Sequence, residues 1–176
     1  MSITTGGSAI TFPNSTTQSS ASKILQVVST NLNTTTSTTS TTPVTIAGLS
    51  ATITPLFSTS KILVFVQLLA GGNPYQSLSY YILNRNSTPV GVGASASGYT
   101  SASVSNQRSS ADTNSSVCVS WQYLDSPATT SALTYTVQWN TETGNTTYLN
   151  RTGADNASLV YSARGASNIT LMEVAA

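Results

Sequence analysis

The chain has 176 residues, a formal net charge of +1 and 6% charged residues, far below the roughly 25% of a typical soluble domain. Its six basic residues are spread along the chain, which excludes the Lys/Arg clusters of a nucleic-acid-binding protein, and no run approaches the roughly 20 apolar residues of a membrane span. Ser and Thr make up about a third of the residues, but eight Tyr, two Trp and long Val/Ile runs exclude a disordered chain and predict an ordered β-domain.

Residues 1–22 are predicted to form an extended attachment arm ahead of a domain at 23–176. Within the arm, Ile10, Phe12 and Pro13 make up a short apolar island. Ile10 and Phe12 project to the same side of an extended chain, and Pro13 presets its own backbone angle, which lowers the cost of ordering the segment. We expect these three residues to anchor the arm on a partner protein.

The domain begins with a succession of short predicted strands separated by turn signals. The first strand is expected at 23–30. The Thr-rich tract at 33–42 suits an edge strand or a strand at a subunit contact, because Thr is a β-branched strand former. Strands at 44–46 and 51–54 are then expected on either side of Gly48.

The middle of the chain contains the most apolar run. Residues 61–69 are apolar on both faces, as expected of a central strand in a sandwich. Residues 71–74, with the sequence GGNP, predict a turn after it. A strand is expected at 78–84, followed by short strands and loops at 90–110.

The clearest pattern is the alternation of apolar and polar residues in 116–124 and 133–140. The residues expected to face the interior are Val117, Val119, Trp121 and Tyr123 in the first segment, and Leu133, Tyr135, Val137 and Trp139 in the second. Such a period of two is typical of antiparallel strands that pack on one side. Further strands are predicted at 148–149, 158–162 and 168–174. No segment has an apolar period near 3.6, so the sequence predicts an all-β protein with an antiparallel, jelly-roll-like β-sandwich.

No pattern of residues predicts catalysis, a cofactor or a metal site. The chain has no His, which is the commonest general base and metal ligand, and its five carboxylates never form a close pair in sequence. Asp125 and Glu142 are interpreted as turn residues. One carboxylate and two amides at 150–156 make a poor cation site, so Arg151 is expected to pair with Asp155 instead.

The remaining reactive or conspicuous residues have structural interpretations. Cys118 is the only cysteine, which excludes an intrachain disulfide, and we expect it to be a small buried side chain. Trp121 and Trp139 could form a sugar-stacking platform, but their regular apolar faces favour a place in the core. The eight Asn-x-Ser/Thr sequences are expected by chance in so hydroxyl-rich a chain, and the N-terminus lacks the pattern of a signal peptide.

Five blocks of the sequence carry a family resemblance. They are ITFPNSTTQ at 10–18, KILQVVST at 23–30, LDSP at 124–127, YLNRTGAD at 148–155 and ITLMEVAA at 169–176. In this order they resemble the surface proteins of bacteriophage virions, especially those of phages that infect cyanobacteria. The first block departs from the family pattern at Asn14-Ser15, where Asp-Gly is usual. The resemblance implies a β-sandwich, often trimeric, that is displayed on the particle and has no catalytic residues.

Two positions on the particle are compatible with this resemblance. A capsid decoration (cement) protein binds the shell at local symmetry axes and braces its subunits, whereas a tail-fibre or receptor-binding tip lies on the tail. A fibre needs a shaft such as a coiled coil, and only about 22 residues precede the sandwich, so we favour decoration. A polysaccharide-active enzyme is a third and less favoured class.

The expected partners follow from the low charge and the resemblance. Few charges keep copies of the chain apart, so a homotrimer is expected, bound to the major capsid protein or another virion protein. A host surface glycan is left open as a further partner. We expect a protein that is made in the host cytoplasm and placed on the virion surface.

Overall fold

The computed structural model describes residues 23–74, 77–107, 113–160 and 162–176, together with the backbone of 10–11 and 17–18. Within these ranges the chain forms β-strands joined by turns and loops, and no helix. The strands are β1 Ile10–Thr11, β2 Thr17–Gln18, β3 Ile24–Leu32, β4 Thr36–Thr38, β5 Val44–Ile53, β6 Lys61–Asn73, β7 Leu78–Arg85, β8 Thr88–Val90, β9 Val104–Gln107, β10 Val117–Asp125, β11 Leu133–Thr141, β12 Thr146–Leu149 and β13 Ser167–Val174.

Two antiparallel sheets form a sandwich, which confirms the predicted fold class. In the six-stranded sheet, β6 is central. It pairs with β10 along one side and with β13 and then β12 along the other side. Beyond these, β3 pairs with β13 and β4 pairs with β12. The five-stranded sheet has the order β5-β11-β7, with β8 and β9 on successive parts of β7. The predicted central position of the apolar run at 61–69 is therefore confirmed.

The hydrophobic core lies between the sheets and is built from alternate side chains. On β11, the predicted interior residues Leu133, Tyr135, Val137 and Trp139 are all buried. Of the four predicted interior residues on β10, Val119 is buried, whereas Val117, Trp121 and Tyr123 are half-buried and pack against the core. The difference arises because, among the described residues, β10 pairs with a strand on one side only. The predicted inward face is confirmed for both strands.

Two glycine-containing segments differ from their predictions. Gly71 and Gly72 extend β6 to Asn73 and do not form a turn. A Cβ atom at Gly71 would collide with the carbonyl oxygen of Arg151, so glycine is needed there for close backbone approach. The segments around Gly48 form one strand, β5, in which Gly48 has φ +80° and the register with β11 shifts.

Two other predicted strands can be compared with the structure. Part of the Thr-rich tract forms β4, which lies at the edge of the six-stranded sheet and pairs with β12 of the same chain. This confirms an edge strand. The strand predicted at 158–162 is wrong, because the described part of this segment consists of turns closed by hydrogen bonds from Leu159 N to Asn156 O and from Ser162 N to Leu159 O.

Candidate assembly surface

The solvent side of β3, β13, β6 and β10, called here the outer face, carries side chains aligned in rows by the strand register. The first row, the apolar row, consists of Val27, Met172, Leu63 and Leu124. The middle row consists of Ser29, Thr170, Phe65 and Gln122, and the polar row consists of Asn31, Asn168, Gln67 and Ser120. Each row crosses all four strands, so the outer face is one continuous surface.

The outer face is uncharged throughout these three rows. Val27 and Leu124, at the two ends of the apolar row, are 54% and 47% exposed, and Met172 and Leu63 between them are half-buried. Hydroxyl and amide groups fill most of the other rows. Protein interfaces are depleted of charge at their centres and enriched in Met and aromatic residues. The outer face therefore has the composition of a surface that packs against another protein.

The strand β10 forms an open edge beside this face. Its nine residues pair with β6 without a register shift, and no other strand of the described residues pairs with its far side. It contains no Lys, Arg or Pro, which are the residues that commonly protect an exposed edge from pairing. The edge can therefore accept hydrogen bonds and side-chain contacts from a neighbouring chain.

A network of polar side chains holds the end of β10. Arg85 Nη1 lies 2.7 Å from both carboxylate oxygens of Asp125, and the Tyr135 hydroxyl donates to Asp125 Oδ2 at 2.7 Å. The hydrogen bond to Asp125 raises the pKa of Arg85. Burial, together with the same carboxylate, raises the pKa of Tyr135. The network holds the last residue of β10, which directly follows Leu124 of the apolar row.

A second buried carboxylate holds the loop that follows β5. Glu173 accepts hydrogen bonds from Gln26 Nε2 at 2.6 Å and from the backbone amide of Leu56 at 2.8 Å. Burial opposes ionisation of Glu173, but these hydrogen bonds outweigh it and lower its pKa. The loop presents the exposed side chains of Leu56 and Phe57 at the same end of the sandwich as the apolar row.

The predicted arm anchor stays a prediction. The backbone of Ile10 pairs with that of Gln18 in the short β1–β2 ladder, and Phe12 and Pro13 lie outside the described residues. At the end of the sandwich where β3 begins, Lys23 O accepts a hydrogen bond from Ala175 N at 2.8 Å.

Two side-chain predictions are wrong. Cys118 is exposed, because it alternates with the inward-facing Val117 and Val119 and therefore lies on the outer side of the sheet. Asp125 is not a simple turn residue: it ends β10 in a buried position and holds the network described above.

Two other side-chain predictions are confirmed. Glu142 lies in the turn between β11 and β12, where its backbone carbonyl accepts a hydrogen bond from Asn145 N. Arg151 lies 3.6 Å from Asp155, which also forms a closer ion pair with Arg164 at 2.7 Å.

Neither a metal centre nor a membrane helix is found in the part of the chain that the structure describes. No group of three or more Cys, Asp or Glu residues is arranged there to hold a metal ion. No helix in these ranges is long and apolar enough to cross a membrane.

Comparisons with known proteins do not assign a family. No protein-family model matches the chain, and no curated protein matches it in sequence. Among solved structures, that of infectious bursal disease virus strain Gt is similar with a TM-score of 0.44 and 11% sequence identity. The similarity covers 99% of this chain but only 42% of the viral chain. At this level it establishes neither a family nor a function.

Proposed function

We propose that this protein is a non-enzymatic structural component of a bacteriophage virion, where it acts as a homotrimer that decorates the capsid and braces its shell. The observation that carries the proposal is the outer face, with its uncharged rows and its apolar row ending on an open edge strand. The sequence blocks that resemble phage surface proteins supply the biological setting. A tail-fibre or receptor-binding tip is the alternative that the same resemblance allows.

The exposed apolar side chains set the scale of the association energy. Fully burying one Val, Leu or Phe side chain is worth about 1.5–3 kcal/mol, so covering the exposed half of Val27, Leu124, Leu56 and Phe57 contributes about 3–6 kcal/mol per subunit. Loss of translational and rotational freedom on association costs about 4–15 kcal/mol. The two quantities are comparable, so we expect a trimer whose formation depends on protein concentration and which contacts with the shell stabilise further.

Sedimentation velocity of the purified chain at micromolar concentration tests this proposal. Leu124→Lys places a charge in the apolar row, and we expect it to weaken trimer formation at least tenfold. Val160→Lys is the control for adding a charge at a fully exposed apolar side chain, because Val160 lies outside the three rows, and it should leave the trimer intact. A monomeric wild-type chain, or equal behaviour of the two variants, would contradict the proposal.

A further inference from the structure

A polar groove lies on the solvent side of the five-stranded sheet, away from the outer face. Its centre is the cross-strand pair formed by Tyr80 of β7 and Asn140 of β11. A depression of about 570 Å³ is lined by these two residues and by Thr41, Thr100, Glu142 and Asn145, among others. A second depression of about 410 Å³ shares Tyr80 and Thr100 and includes Tyr99. The two depressions therefore adjoin, and together they are called the tyrosine groove.

The side chains of the tyrosine groove form a consistent chemical set. Tyr99 is 80% exposed and Tyr80 is half-buried, so both aromatic rings are available for stacking. Glu142 supplies a carboxylate acceptor, and Asn145 donates to its Oε2 at 3.2 Å. Hydroxyl groups of Thr41 and Thr100 can both donate and accept. No Lys or Arg is among the residues described in either depression.

Asn140 provides an independent indication of a ligand. The residue is 5% exposed, and its Nδ2 donates to Thr41 O at 3.2 Å, but its Oδ1 has no hydrogen-bond partner in the structure. Buried amide oxygens are nearly always paired, because leaving one unpaired is unfavourable. Because Asn140 lines the larger depression, a hydroxyl group of a ligand bound there would supply the donor that this oxygen lacks.

The floor of the groove is held in place before any ligand binds. Thr141, next to Asn140, donates its backbone amide to Ser40 O at 2.8 Å and its hydroxyl to Leu78 O at 2.9 Å. These hydrogen bonds connect the end of β11 to Ser40, in the segment between β4 and β5, and to Leu78, the first residue of β7. A site fixed in this way loses little conformational freedom on binding.

We propose that the tyrosine groove binds a neutral oligosaccharide of at least two sugar units. Tyr80 and Tyr99 stack against the apolar faces of successive sugar rings, while Glu142, Asn140 and Asn145 exchange hydrogen bonds with ring hydroxyls. No Lys or Arg is among the described residues that line the groove, which disfavours phosphate or sulfate groups, and the polar lining disfavours a lipid. This inference does not depend on the proposed virion role.

An array of neutral glucose, galactose, mannose and N-acetylglucosamine oligosaccharides, with sulfated and phosphorylated versions as comparisons, tests the inference. We expect the wild-type chain to bind at least one neutral oligosaccharide, and Tyr99→Ala and Glu142→Gln each to weaken that binding at least tenfold. Val160→Ala, which removes a fully exposed apolar side chain that lines neither depression and lies outside the three rows of the outer face, is the control and should stay within twofold of wild type.

Three outcomes would overturn the inference: no binding to any neutral oligosaccharide, a preference for the charged versions, or equal losses in all three variants. Sedimentation velocity of the same samples measures the oligomeric state, so it tests the proposed trimer separately from glycan binding. Tyr99→Ala and Glu142→Gln should keep the oligomeric state of the wild type, because both residues lie off the outer face.

Discussion

Asp125→Asn tests how the end of the edge strand β10 is held. The Asp125 side chain is 5% exposed and forms hydrogen bonds with Arg85 and Tyr135. Asparagine has nearly the same shape and keeps one oxygen that can accept from the Tyr135 hydroxyl. The substitution therefore removes the negative charge while it preserves the packing.

The size of the effect follows from the burial of the ion pair. Removing one member of a fully buried pair costs about 3–5 kcal/mol, because the other charge loses its partner. The Arg85 side chain is 28% exposed and recovers part of its hydration, so we expect a loss of about 2–3 kcal/mol in the free energy of unfolding. Leu124, the neighbouring residue in the apolar row, should also become less well ordered.

Urea unfolding followed by tryptophan fluorescence measures this loss, at one fixed protein concentration because association changes the apparent stability. Asp155→Asn is the matched control. It weakens an ion pair with the exposed Arg164, and asparagine tolerates the positive φ of 44° at this position, so its effect should be much smaller. If Asp125→Asn costs no more than Asp155→Asn, the network does not hold the end of β10.

Three further predictions concern the core, the second buried carboxylate and the arm. Trp139→Ala should lower the free energy of unfolding by about 3–5 kcal/mol in urea, because Trp139 is buried, and a loss below 1 kcal/mol would refute its core position. The pKa of Glu173 is lowered below its ordinary 4.5, so ionised Glu173 stabilises the folded state above that pH, and this stabilisation is lost as the pH falls through the folded-state pKa. Glu173→Gln should therefore reduce the dependence of the free energy of unfolding on pH in the acid range. An unchanged pH dependence would contradict this. Deletion of residues 1–22 should leave the thermal unfolding transition of the sandwich in place but abolish incorporation into particles, and wild-type occupancy by the truncated chain would exclude the arm as the anchor.

Local alternation was sufficient to predict the fold class and much of the core. In β11, every second residue is apolar from Leu133 to Trp139, and a strand with this pattern can satisfy its apolar side chains only against a second layer. The glycine segments were harder to interpret. Gly71 and Gly72 have the composition of a turn, and only the approach of the backbone near Arg151 explains why a strand continues through them.

The outer face could not be predicted from the sequence, because its rows join residues from four strands that are far apart in the chain. Val27 and Met172 become neighbours only once the register of β3 and β13 is known. The same reason explains the error at Cys118, since the sequence shows that it alternates with apolar residues but not which side of the sheet remains uncovered. The tyrosine groove could not be predicted either, because Tyr80, Tyr99 and Asn140 come from separate segments and no local pattern shows that they share a surface.

Imaging of the intact particle by electron cryomicroscopy tests the proposed function most directly. The proposal predicts hundreds of copies on the capsid, grouped as trimers at three-fold positions, with the outer face buried against neighbouring chains. A dozen or so copies at a single vertex would place the protein on the tail, and an outer face exposed to solvent in every copy would contradict its role as the assembly surface.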